Sequence, residues 1–131
     1  SVLLLTPCLF SSISFLLSSP SLSLLQLQNL NEEMQKHGKD LRGVQNSMSV
    51  CQRELRSNQV TSNQIKSLNE STPLYRACAK GFFMATQEEV RRDLEAEAEL
   101  LDRNSKDLAN REEYLERRIA SNRSNMIDIA S

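Results

Sequence analysis

A chain of 131 residues holds one domain at most, and with 25% charged residues, 5% aromatic residues and no Trp this one suits a helical assembly better than a globular core. Its 16 basic and 17 acidic residues interleave to a formal net charge of −1, so no basic stripe tracks a phosphate backbone and nucleic acid is not expected as a partner. Cys8, Cys51 and Cys78 are odd in number and lack any Cys-x-x-Cys spacing, which argues against a disulfide framework or zinc site and for a reducing compartment.

Residues 1 to 26, SVLLLTPCLFSSISFLLSSPSLSLLQ, differ from everything after them. Leu and Ser repeat, Pro7 and Pro20 interrupt, and the first charge is Glu32. A membrane span needs about 18 continuous apolar residues, and Ser and Pro break this run. A secretory signal needs a charged leading region and a small-residue cleavage site, and the segment opens without Met, Lys or Arg. It reads as a Ser/Leu-rich extension, disordered or an alternative start, lying outside a folded unit expected over 27–131.

From Leu27 the pattern changes. Leu27, Leu30, Met34, His37, Leu41, Val44, Met48, Cys51 and Leu55 follow at steps of three and four, the spacing of a heptad seam. A helix is expected from Leu27 to about Ser57. Gly38 and Gly43 each cost it about 1 kcal/mol against Ala, so it depends on a partner helix. His37, the sole His, falls in the seam with no second ligand near it, and reads as a packing residue rather than a metal or catalytic group.

Between Leu55 and Thr86 the heptad stops. Thr61-Ser62-Asn63-Gln64 offers a second helix start with Ile65 and Leu68 as one short apolar face, and Pro73 then forces an extended exit. Two strands are expected, Leu74 to Ala79 and Phe82 to Ala85, around a turn at Lys80-Gly81. An isolated two-stranded hairpin is marginally stable in water. Its edges and aromatic residues need other chains, so the segment reads as a device for joining subunits, with Phe82 and Phe83 both buried between subunits or against the helices.

Thr86-Gln87-Glu88-Glu89 is a capping box that opens a second helix. Its seam runs Leu94, Ala98, Leu101, Ser105, Leu108, Glu112, Leu115, Ile119, Asn122, Met126 and Ile129, and its polar members can fix register at a cost in stability. Glu99 with Arg103, Asp102 with Lys106, Asp107 with Arg111 and Glu113 with Arg117 are spaced as acid-first i,i+4 pairs, each contributing about 0.2–0.5 kcal/mol. The fold class is thus all-α dominated: an antiparallel two-helix coiled coil with a short β-hairpin between the helices. Asn69-Glu70-Ser71 and Asn122-Arg123-Ser124 fit the glycosylation acceptor pattern, which matters only in a secreted protein.

The order of a long helix, Ile65-Lys66-Ser67-Leu68, Thr72-Pro73-Leu74-Tyr75, Lys80-Gly81-Phe82, Glu88-Glu89-Val90, Leu94 and a charged helix with Tyr114-Leu115-Glu116 resembles the beta-class prefoldin subunits, most like the eukaryotic subunit 1 branch. The resemblance spans about residues 27 to 130, and its most specific part is Leu74 to Val90. One departure stands out: the family usually has Val-Gly before the basic residue, where this chain has Cys78-Ala79, with Gly81 two positions later. Ala does not take positive φ as cheaply as Gly.

The resemblance implies a cytoplasmic, ATP-independent cochaperone without cofactor. Its partners would be alpha- and beta-class prefoldin subunits in a hexamer of two alpha and four beta chains, unfolded actin and tubulin as clients, and the cytosolic chaperonin, with no nucleic acid and no membrane. Leu74, Tyr75, Cys78, Phe82, Phe83 and Met84 would form the oligomerisation hairpin, and Leu27, Leu30, Met126, Ile127 and Ile129 the client-binding tip. Pairing Leu55 near Leu94, Leu41 near Leu108, and Leu27 and Leu30 near Asn122 and Ile119 would leave helix two overhanging, with flexible apolar side chains exposed. A generic scaffold or tether, membrane-linked through residues 1 to 26, is the competing reading, and it has no use for an aromatic hairpin. An enzyme is disfavoured: there is no Gly-rich phosphate loop, no Cys-His nucleophilic arrangement, and the carboxylates sit in solvated helix pairs.

Overall fold

The computed structural model describes residues 2–131, with side chains from Leu22 onward. The expected extension over residues 1–26 therefore lies, for residues 1–21, outside the described side chains. Four elements follow in order: helix α1 (Val2–Lys66), strand β1 (Leu74–Cys78), strand β2 (Gly81–Ala85) and helix α2 (Gln87–Ala130). The chain divides into two compact units, residues 43–112 and residues 1–42 with 113–131.

In the unit 43–112 the two helices run antiparallel along the expected seams. Val44, Cys51, Ile65 and Leu101 are its buried apolar side chains, with Leu55, Leu94, Ala98, Ser105 and Leu108 half-buried beside them. The same spacing continues in the other unit, where Leu115 and Asn122 are buried and Leu30, Met34, His37, Leu41, Ile119, Met126 and Ile129 half-buried. With only two helices per layer, each seam residue is covered from one side and partly open on the others.

Two expectations change together. Helix α1 does not stop near Ser57 but continues to Lys66. Thr61 starts no new helix; its hydroxyl donates back to the Ser57 carbonyl at 2.9 Å, so the segment keeps the helical path. Asn58 extends the seam and replaces apolar packing with hydrogen bonds, its amide donating to the Leu94 carbonyl at 3.0 Å and the Glu97 carboxylate at 3.3 Å. Ile65 closes the seam, and the helix ends where Leu68 N–H tightens onto the Ile65 carbonyl at 3.1 Å.

The longer helix moves the register. Asn58 hydrogen-bonds to the Leu94 carbonyl, with Leu55 lining the same groove one turn back; Cys51 Sγ lies 3.2 Å from the Leu101 carbonyl, and Gln45 donates to Glu112 at 3.2 Å. In the other unit Asn122 donates to Glu33 at 3.2 Å, and Gln26, Asn29 and Leu30 line one groove with Asn125, Asp128 and Ile129. Helix α2 consequently does not overhang. Met126 and Ile129 keep α1 beside them because each α2 residue pairs with an α1 residue nearer the hairpin than the apolar pattern alone suggested.

Helix α2 begins as its capping box requires: Thr86 N–H donates to Glu89 at 3.1 Å and Glu89 N–H to the Thr86 hydroxyl at 3.2 Å. The ion pairs Asp102–Lys106 (3.0 Å), Glu99–Arg103 (3.9 Å) and Glu113–Arg117 form, joined by Glu88–Arg92 (2.7 Å), which the sequence reading did not single out. Asp107–Arg111 is not among the ion pairs of the described residues; on a helix face this exposed, water competes effectively for such groups.

Candidate functional site

Strands β1 and β2 pair antiparallel from Leu74↔Ala85 to Cys78↔Gly81, leaving a two-residue loop of Ala79 and Lys80. The turn thus falls one residue earlier than the expected Lys80-Gly81, and the strands end at Cys78 and begin at Gly81. Two-residue hairpin turns of the primed types need positive φ inside the loop. Neither Ala79 nor Lys80 has it, and the positive φ falls instead on Gly81, at 144°. A glycine just past the loop lets this chain keep Ala79 where a Gly would otherwise be wanted.

Cross-strand partners share a face, so the register sorts the side chains into two sets. Tyr75, Ala77, Phe82 and Met84 occupy one face, Leu74, Arg76, Cys78, Phe83 and Ala85 the other. The first face carries no charge, and its Tyr75, Phe82 and Met84 keep 60%, 77% and 72% of their surface. The second has Leu74 and Ala85 half-buried and Arg76 in an ion pair with Asp93 of α2. The sequence reading grouped Phe82 with Phe83, and the pairing separates them onto opposite faces. In this chain neither is buried, Phe83 being 58% exposed, so any burial between subunits needs those subunits.

Further exposed apolar side chains lie toward the C-terminal end of α2 and on α1 at Leu22, Leu24 and Leu25. Of the residues expected to form a tip, Leu27, Leu30, Met126 and Ile129 are half-buried in the seam and Ile127 stands out 63% exposed. Leu22, Leu24 and Leu25, set aside with the first 26 residues on composition, are 60%, 66% and 54% exposed. Their lack of neighbouring charge was the signal available in the sequence.

His37 Nδ1 is enclosed in the seam without a hydrogen-bond partner. Among the described residues no group of three or more His, Cys, Asp and Glu could hold a metal ion, and no helix is long and apolar enough to cross a membrane. Asn122, in one of the two glycosylation patterns, is 3% exposed and hydrogen-bonded to Glu33.

The architecture has a solved counterpart. It is similar to the crystal structure of the prefoldin beta subunit from Thermococcus strain KS-1, with a TM-score of 0.70 and 18% sequence identity over 77% of this chain and 89% of that one. A search of curated proteins found no match. The model of the prefoldin subunit family matches residues 28–129, which takes in α1 from residue 28 onward, the hairpin and nearly all of α2; the chain belongs to the prefoldin subunit family of chaperones.

Proposed function

We propose that this chain is a beta-class prefoldin subunit, most like the eukaryotic subunit 1 branch, working in the cytoplasm within a heterohexamer of two alpha-class and four beta-class subunits. The complex holds unfolded actin and tubulin without ATP and passes them to the cytosolic chaperonin. The observation that carries the reading is the uncharged face of Tyr75, Ala77, Phe82 and Met84 on a two-stranded sheet. Such a sheet is marginal alone, and covering those three large side chains with neighbouring strands would contribute about 1.5–3 kcal/mol each. Strand pairing with sibling hairpins supplies both the missing ladder partners and the missing cover. The exposed apolar residues Ile127 near the end of α2 and Leu22, Leu24 and Leu25 of α1 supply weak, repeated contacts suited to clients without fixed shape.

The test is purification of the tagged chain from its native cells at physiological salt, with mass spectrometry of what accompanies it. Five other small coiled-coil subunits, with chaperonin and actin or tubulin at lower yield, are expected. Recovery as a homo-oligomer, or with membrane proteins alone, would instead favour a coiled-coil tether.

A further inference from the structure

The hairpin is joined to α1 by residues 67–73 but to α2 by Thr86 alone, so whatever fixes it against α2 fixes where it points. Arg76 is the one charged side chain among the ten strand residues. Its partner, Asp93, lies in a run of three acids spaced four apart on α2, Glu89, Asp93 and Glu97. Like charges at that spacing repel, and no base stands three or four residues from Asp93 on its own helix. Each acid is answered from outside the helix body: Glu89 by the Thr86 N–H of the cap, Glu97 by the Asn58 amide of α1, and Asp93 by Arg76 of the hairpin.

We infer that Arg76 is a positioning residue: its ion pair with Asp93 clasps the hairpin to α2 and thereby holds the uncharged Tyr75–Phe82–Met84 face outward for the neighbouring subunits. The sheet register makes this a choice between faces, because Arg76 and Phe83 sit opposite each other on one side and the uncharged set occupies the other. With Arg76 held by α2, the uncharged face is the one left open. A half-exposed ion pair adds little to overall stability, the two side chains keeping 46% and 55% of their surface, but a single-residue connection leaves few other restraints on the hairpin's angle.

The inference rests on the hairpin serving assembly, and the experiment separates the two. Arg76→Glu, Asp93→Arg and the double exchange are made in the full chain and assembled with its partner subunits. Incorporation is read by native mass spectrometry and helix content by circular dichroism. Hairpin position is read in the same assemblies by electron spin distance between labels on exposed Cys78 and an introduced Asn110→Cys, with Cys8→Ser and Cys51 protected by burial. Each single reversal should broaden the distance distribution and lower incorporation about three- to tenfold with helix content unchanged, and the exchange should restore both. Unchanged distances in the single variants, or no restoration by the exchange, overturns the clasp. Broadened distances with wild-type incorporation overturns the assembly role of the hairpin while leaving the ion pair in place.

Discussion

In the seam, Leu101 and Leu115 keep 7% and 4% of their surface, whereas in the hairpin Phe82 and Met84 keep 77% and 72%. Both regions are apolar stripes, one of period three and four and one of period two, yet the first meets its partner within the chain and the second does not. A helical stripe can be covered by a second helix of the same chain once the chain reverses. A five-residue strand with one neighbour has another edge and at least one face left over. The difference teaches where to look for each region's stability: the seam's lies in the fold of the single chain, and the hairpin's, on the proposed function, would come from the assembly.

The comparison breaks most visibly at the hairpin. Phe82→Ser with Met84→Ser removes two large side chains from one uncharged face. If that face is covered in the assembly, about 3–6 kcal/mol is lost, enough to reduce incorporation more than a hundredfold in native mass spectrometry. Phe83→Ser, on the face shared with Arg76, should cost clearly less. Equal losses from the two variants would mean that the register does not select a face. At the seam the loss should appear in a different measurement. Leu115→Ala should lower unfolding free energy by about 2–4 kcal/mol in urea titration while leaving the hairpin competent to assemble below the transition.

Much of this division was legible in the residues. The seam was read position by position because apolar side chains at three-four spacing have one periodic solution, and every residue of both expected seams is buried or half-buried. The strands were read from Pro73, the aromatic pairs and Gly81. The end of α1 was not, because the apolar spacing stops at Leu55 and Thr61-Ser62-Asn63-Gln64 reads as a new helix start while the partners of Asn58 are unseen. The Leu94 carbonyl and the Glu97 carboxylate that satisfy Asn58 lie 36 and 39 residues away. The register error, and with it the expected overhang of Met126 and Ile129, follows from that one missed extension. The separation of Phe82 from Phe83 was open to anyone counting alternate positions, while Arg76–Asp93 needed the tertiary structure.

Smaller effects sharpen the same contrast. Thr86→Ala removes one half of the capping box and should cost about 1 kcal/mol of helix stability, visible as a shift of the urea midpoint. Gly43→Ala should do the reverse. A Cβ there meets nothing within 4 Å and the residue is helical, so a gain of about 0.5–1 kcal/mol is expected from the same titration.

The smallest effect concerns holding. Truncating α2 before Met126 would mix two things, since Met126 and Ile129 are half-buried in the seam and their loss would also loosen the helix end. Ile127 separates them, because at 63% exposure it contributes little to the fold and its replacement by Ser should leave the unfolding free energy from urea titration within about 0.5 kcal/mol of wild type. A client covering that side chain would recover up to about 1.5–3 kcal/mol at one site. In a complex whose several subunits share the client, losing one such contact removes only part of the total. Ile127→Ser should therefore weaken suppression of denatured actin aggregation partially, in light scattering at equal complex concentration, and adding Leu24→Ser and Leu25→Ser should deepen the loss. If the triple variant suppresses aggregation as well as wild type, these exposed apolar side chains take no part in holding, and the subunit contributes architecture alone.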